Sequence, residues 1–82
     1  MKRLRIKLNS IDTIKNFVLL NETMPFDIDV LSGRYMIDGK SIMGLFSLDC
    51  SKEIEAQIHA DKEDGLDDYL ARLKNVLDYE EM

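Results

Sequence analysis

Ser10, Ser41, Cys50 and His59 are the side chains of this 82-residue chain whose type and place could carry covalent or metal chemistry. A nucleophilic hydroxyl or thiol needs a base within hydrogen-bond reach, and no such pair is visible in the spacing. The expectation is therefore a protein that is not an enzyme in the usual sense. His59, the only histidine, shares one alternating strand face with Glu55 and Asp61. No second histidine or cysteine joins them, so simple exposure is expected rather than a metal site. Cys50 is the sole cysteine. No intrachain disulfide is available to it, and it reads as an incidental thiol, with a phosphocysteine or redox role as the alternative. The acidic group Asp61, Glu63, Asp64, Asp67 and Asp68 lacks the spacing of a calcium loop and reads as charge at a helix start. Ser10 and Ser41 each stand just before an apolar segment, where a serine hydroxyl caps a helix by accepting from an amide of the first turn. No cofactor is expected.

The elements that position these residues follow from periodicity. Arg3, Arg5 and Lys7 alternate with Leu4, Ile6 and Leu8, the pattern of a strand with one buried face. Ile11, Ile14, Phe17, Val18 and Leu20 have helical spacing after Ser10, and Pro25 with the polar residues before it ends that helix. Ile28 and Val30 alternate with Asp27 and Asp29. Ser32-Gly33 marks a turn, and residues 34–38 form the return strand of a hairpin. Residues 41–48 read as a short helix. Ile54, Ala56, Ile58 and Ala60 alternate with Glu55, Gln57, His59 and Asp61 in a fourth strand. Leu66, Leu70, Leu73 and Leu77 make one stripe of a last helix, with Tyr69 and Val76 on its flanks.

Composition bounds the rest. Apolar residues make up 45% of the chain, enough for one core in one domain spanning residues 1–82. The net charge of −5 disfavours nucleic acid as a partner. No apolar run is long enough to cross a membrane, and the basic start of the chain has no signal-peptide apolar core behind it. A cytoplasmic location is expected. The element order is β-α-β-β-α-β-α. Each strand has one apolar face, so the helices must cover one side of a four-stranded antiparallel sheet, and the other side carries mixed charge.

That order, with the stretch Asp38-Gly39-Lys40-Ser41-Ile42-Met43-Gly44-Leu45-Phe46-Ser47-Leu48, resembles the HPr family of phosphotransferase-system phosphocarriers. The family typically has K-S-I-M-G at this place, and weaker similarity runs over residues 4–77. The resemblance implies an α+β open-faced β-sandwich of order βαββαβα, in a bacterial protein. It also implies a difference. The family's phosphorylation motif is G-I-H-A-R-P just after the first strand, and an ungapped alignment from Ser41 puts Ser10 on its histidine, Asp12 on its arginine and Thr13 on its proline. A phosphohistidine is a labile donor held by helix amides and the arginine, whereas a serine ester is a poor donor and Asp12 repels phosphate. The chain is therefore similar to the catabolite-repression HPr-like proteins, which lack the histidine and keep the serine.

In Gram-positive relatives that serine is phosphorylated by HPr kinase, and the modified protein binds a transcription regulator. The resemblance places Ser41 there, with Ile42, Met43 and Phe46 on the face that docks partners. The partners so implied are proteins: HPr kinase, a transcription regulator or phosphotransferase-system components. The plainer reading of Ser41 is a helix cap alone. Two other functions stay open at this point, a phosphocarrier using an atypical residue and an HPr-fold binding module unrelated to sugar transport.

Overall fold

The alternation at the start of the chain forms strand β1 (Lys2–Ile6), with Leu4 and Ile6 buried and Arg3 and Arg5 facing out. The computed structural model describes residues 1–48 and 53–82. Ser10 caps helix α1 (Ile11–Glu22), which buries Ile14, Phe17, Val18 and Asn21. Strands β2 (Ile28–Ser32) and β3 (Tyr35–Asp38) form a hairpin in which Ser32 pairs with Tyr35. Gly33 has φ of +60° and no non-glycine residue among the described residues has positive φ, so the two-residue turn takes its left-handed position at its first residue, where only glycine is at ease. Helix α2 (Ile42–Phe46), strand β4 (Ile54–Ile58), a 3₁₀ turn (Lys62–Asp64), helix α3 (Leu66–Leu73) and strand β5 (Tyr79–Glu81) complete the described chain.

The strands form one antiparallel sheet in the order β3-β2-β4-β1-β5. Register follows burial. Ala56 of β4 pairs with Leu4 of β1 on one side and Val30 of β2 on the other, and all three are wholly buried. The period of a strand is two, so this register puts Leu4, Ile6, Ile28, Val30, Ile54, Ala56 and Ile58 on one face, and Leu31 falls on the other beside Met36 and Glu55. Phe17 of α1, Leu45 of α2 and both Tyr69 and Leu73 of α3 close the core over that face. The fold is thus a small α+β sheet with helices on one side. No helix among the described residues is long and apolar enough to cross a membrane.

Among the described residues the sheet has five strands, where the periodicity predicts four. The extra strand, β5, is only three residues long and pairs Ile6 with Tyr79 and Leu4 with Glu81. Three residues are too few to show a period of two, so hydropathy alone gives no sign of it. The last helix also differs. It ends at Leu73, and a turn over residues 74–76 carries the chain towards β5. Leu77 is buried from outside the helix, and the wholly buried residues of α3 are Tyr69 and Leu73, not a four-leucine stripe. The third strand starts at Tyr35 because Arg34 belongs to the turn.

Two glycines mark close approaches. A Cβ on Gly39 would lie 2.8 Å from the Ile28 carbonyl oxygen, and one on Gly44 would lie 2.7 Å from the Ile37 Cγ2 methyl. The second contact seats α2 on β3. Beside the first, the buried Asn21 donates to the Gly39 carbonyl at 2.8 Å and accepts from the Tyr69 hydroxyl at 2.6 Å. Both polar ends of a buried amide are thereby satisfied, and α1, α3 and the β3–α2 loop are tied together.

Candidate functional site at the starts of the first two helices

The start of α1 is built by short polar side chains. Ser10 Oγ accepts from the Thr13 amide at 3.1 Å and lies 2.9 Å from Thr13 Oγ1, which in turn donates to Asn9 Oδ1 at 3.2 Å. Asp12 stands in the first turn, where its charge favours the helix dipole. An amide that holds phosphate in an anion-binding helix start is here held by the chain's own hydroxyl. Ser10 is placed as a cap, in line with the plainer expectation from sequence.

The start of α2 is built the same way. Ser41 Oγ accepts from the Gly44 amide at 3.3 Å, and the Ser41 amide donates to the Asp38 carbonyl at 3.0 Å. Lys40 is fixed from both ends: its amide donates to Asp38 Oδ1 at 2.9 Å and its Nζ donates to the Met24 carbonyl at 3.0 Å. Ile42 packs part-buried against the core, and Gly44 takes the close contact with Ile37. Four of the five residues 40–44 therefore have a structural task. Met43 does not: its side chain is 75% exposed.

Met43 and Phe46 are three apart on α2, so they share a side of the helix. Phe46 is 41% exposed, and with Leu8, Ser10, Ile11 and Ile14 it lines a shallow groove of about 540 Å³, with Lys15 also on its wall. Ile11 is exposed as well. The structure thus brings Ser10 and Phe46 to one apolar groove between α1 and α2, while Ser41 sits at the opposite end of α2 from Phe46.

No family model, curated protein or solved structure matches the chain.

The site's chemistry is then read from its own geometry. Among the described residues, neither serine is hydrogen-bonded to an imidazole, carboxylate or lysine. What the groove and α2 present is an adaptable apolar surface, since methionine fits many partners. Elsewhere the possible metal trio is dispersed. His59 Nε2 lies 2.7 Å from Asp29, Glu55 binds Arg3 Nε at 2.9 Å, and Asp61 faces the terminal amine at 3.5 Å. Glu55 holds the Arg3 guanidinium above its usual range. Arg3 first, and then Gln57, hold the Glu55 carboxyl below the ordinary carboxylate value. Cys50 lies outside the described residues.

Sequence reading set Tyr69 on the flank of the last helix's stripe and missed both its full burial and its hydrogen bond to Asn21. The signal was present. Asn21 follows Phe17 by four residues, so it faces the same side as the buried apolar residues, and a polar side chain there requires a buried partner.

Proposed function

We propose that this chain is an HPr-like protein-interaction module that has lost the phosphocarrier site and works by contact through α2 and the α1–α2 groove, switched at Ser41. The observation that carries the reading is Met43. Within Lys40-Ser41-Ile42-Met43-Gly44 it is the residue with no packing task, and it stands exposed beside exposed Phe46. An apolar side chain kept in water on the same helix side as Phe46, which lines an apolar groove, fits a docking surface. The element order β-α-β-β-α-β up to β4 is in keeping with the HPr resemblance, and β5 is an addition to it.

In this reading the protein is a cytoplasmic partner rather than a catalyst. Ser41 receives phosphate from an outside HPr kinase. The added charge of about −1.5 to −2 lies at a helix start, where it is tolerated, and next to the docking face, where it changes affinity for a transcription regulator or a phosphotransferase component. Loss of carrier function is supported by Ser10 and Asp12, since the hydroxyl is committed to the Thr13 amide and the first turn already holds a negative charge. The test is twofold: enzyme I with phosphoenolpyruvate leaves the protein unlabelled, and HPr kinase with ATP labels Ser41.

One observation favours a second reading, a binding module unrelated to sugar transport. Lys40, Ser41 and Gly44 are each explained by hydrogen bonds or packing, so their presence does not require a kinase. The kinase experiment separates the two.

A further inference from the structure

The two edges of the sheet are unlike. β5 is three residues long and ends in Glu80 and Glu81, a short acidic edge of the kind that discourages strand addition. At the other edge β3 offers Tyr35, Met36 and Ile37 in a row, with no lysine, proline or bulge among them. Tyr35 and Met36 are 68% and 65% exposed, and among the described residues no strand covers this edge.

The register tells which backbone groups face outward. Gly39 donates to the Ile28 carbonyl of β2, and bonding direction alternates along a strand. Residues 35, 37 and 39 therefore bond inward, and the N–H and C=O of Met36 point out. An antiparallel two-fold pairing centred on Met36 would let each Met36 exchange both bonds with its counterpart. The same pairing sets Tyr35 opposite Ile37 and Arg34 opposite Asp38. Arg34 has no ion-pair partner among the described residues, and Asp38 uses one carboxylate oxygen for the Lys40 amide, which leaves the other free. Opposed residues in a ladder share a face, so two Arg34–Asp38 pairs would flank the central methionines. The edge is complementary to itself in hydrogen bonding, in apolar contact and in charge.

We propose that β3 is the interface for a second copy of this chain, joined edge to edge in a continuous ten-stranded sheet (twice the five strands of one copy). This is independent of the phosphotransferase reading. A proline at Met36 removes the outward N–H and leaves the inward bonds to β2 intact, so the monomer keeps its fold while the pairing is lost.

Sedimentation equilibrium over a concentration series, with circular dichroism as the check on folding, tests this. The wild type is expected at twice the monomer mass, Met36→Pro at the monomer mass, and Arg34→Glu weakened about tenfold in association. Amide exchange at Met36 is expected to slow as the wild type associates. A wild type that stays monomeric throughout the series overturns the proposal. So does a dimer whose association constant is unchanged in Arg34→Glu, a turn substitution that keeps the fold even where Met36→Pro does not.

Discussion

Gly44 lies against Ile37 so closely that a β-carbon on it would stand 2.7 Å from the Ile37 Cγ2 methyl. Helix α2 owes its seat on β3 to that missing carbon. Gly44→Ala is expected to destabilise the fold by about 1–3 kcal/mol through overpacking, although alanine is the better helix former by about 1 kcal/mol. Met43→Ala, one residue away, is expected to stay within about 0.5 kcal/mol of wild type. Denaturant titration of both variants checks the contrast. A stabilising Gly44→Ala would show that the helix is free to lift from the strand.

Tyr69 and Asn21 offer a test of the core. Tyr69→Phe keeps the ring and its edge-on contact with Phe26, at 5.7 Å between centroids, but removes the hydroxyl that Asn21 accepts. A buried acceptor left without a donor costs about 1–3 kcal/mol. The double change with Asn21→Ala is expected to cost less than the sum of the two single changes, because the first already breaks the bond. Strict additivity in denaturation would contradict the network.

Much of the fold was legible because its strands alternate cleanly. Leu4, Ile6, Ile28, Val30, Ile54, Ala56 and Ile58 are all buried, as a period of two requires. Both caps were legible too, since Ser10 and Ser41 precede apolar segments and each accepts an amide three residues on. What escaped depends on tertiary placement. β5 exists because the turn after α3 returns the chain to β1, which no local pattern announces. The tasks of Lys40 and Gly44 depend on Met24 and Ile37, residues brought near only by the fold. The groove joining Ser10 to Phe46 belongs to the packing of α1 on α2, and neither segment shows it alone.

Ser10→Ala removes the cap of α1 and is expected to cost about 0.5–2 kcal/mol. Ser10→His alone is expected to stay unlabelled by enzyme I and phosphoenolpyruvate, because Asp12 still opposes phosphate in the first turn. Ser10→His with Asp12→Arg is expected to accept some acid-labile phosphate. Equal labelling of the single and double variants would refute the electrostatic argument.

Acid stability depends in part on Glu55. Its carboxyl is held below the ordinary value by Arg3 and then by Gln57, so the folded state keeps it charged to lower pH than the unfolded chain does. Its contribution is present above the unfolded value of roughly 4.3 and is lost as pH falls through the lower folded value. In Glu55→Gln the denaturation midpoint is expected to fall less steeply across that window. An identical slope in the variant would mean that the Arg3–Glu55 pair adds nothing to stability.

The most direct test of the docking account is phosphorylation of Ser41. The protein is incubated with HPr kinase and ATP, with an authentic HPr in the same tube as the positive control, and both are read by intact-mass and peptide mass spectrometry. The account predicts one phosphate, on Ser41 alone, with far-ultraviolet circular dichroism unchanged because the ester sits at a helix start. An unmodified Ser41 beside a labelled control would contradict the account and leave Ser41 with its capping role only.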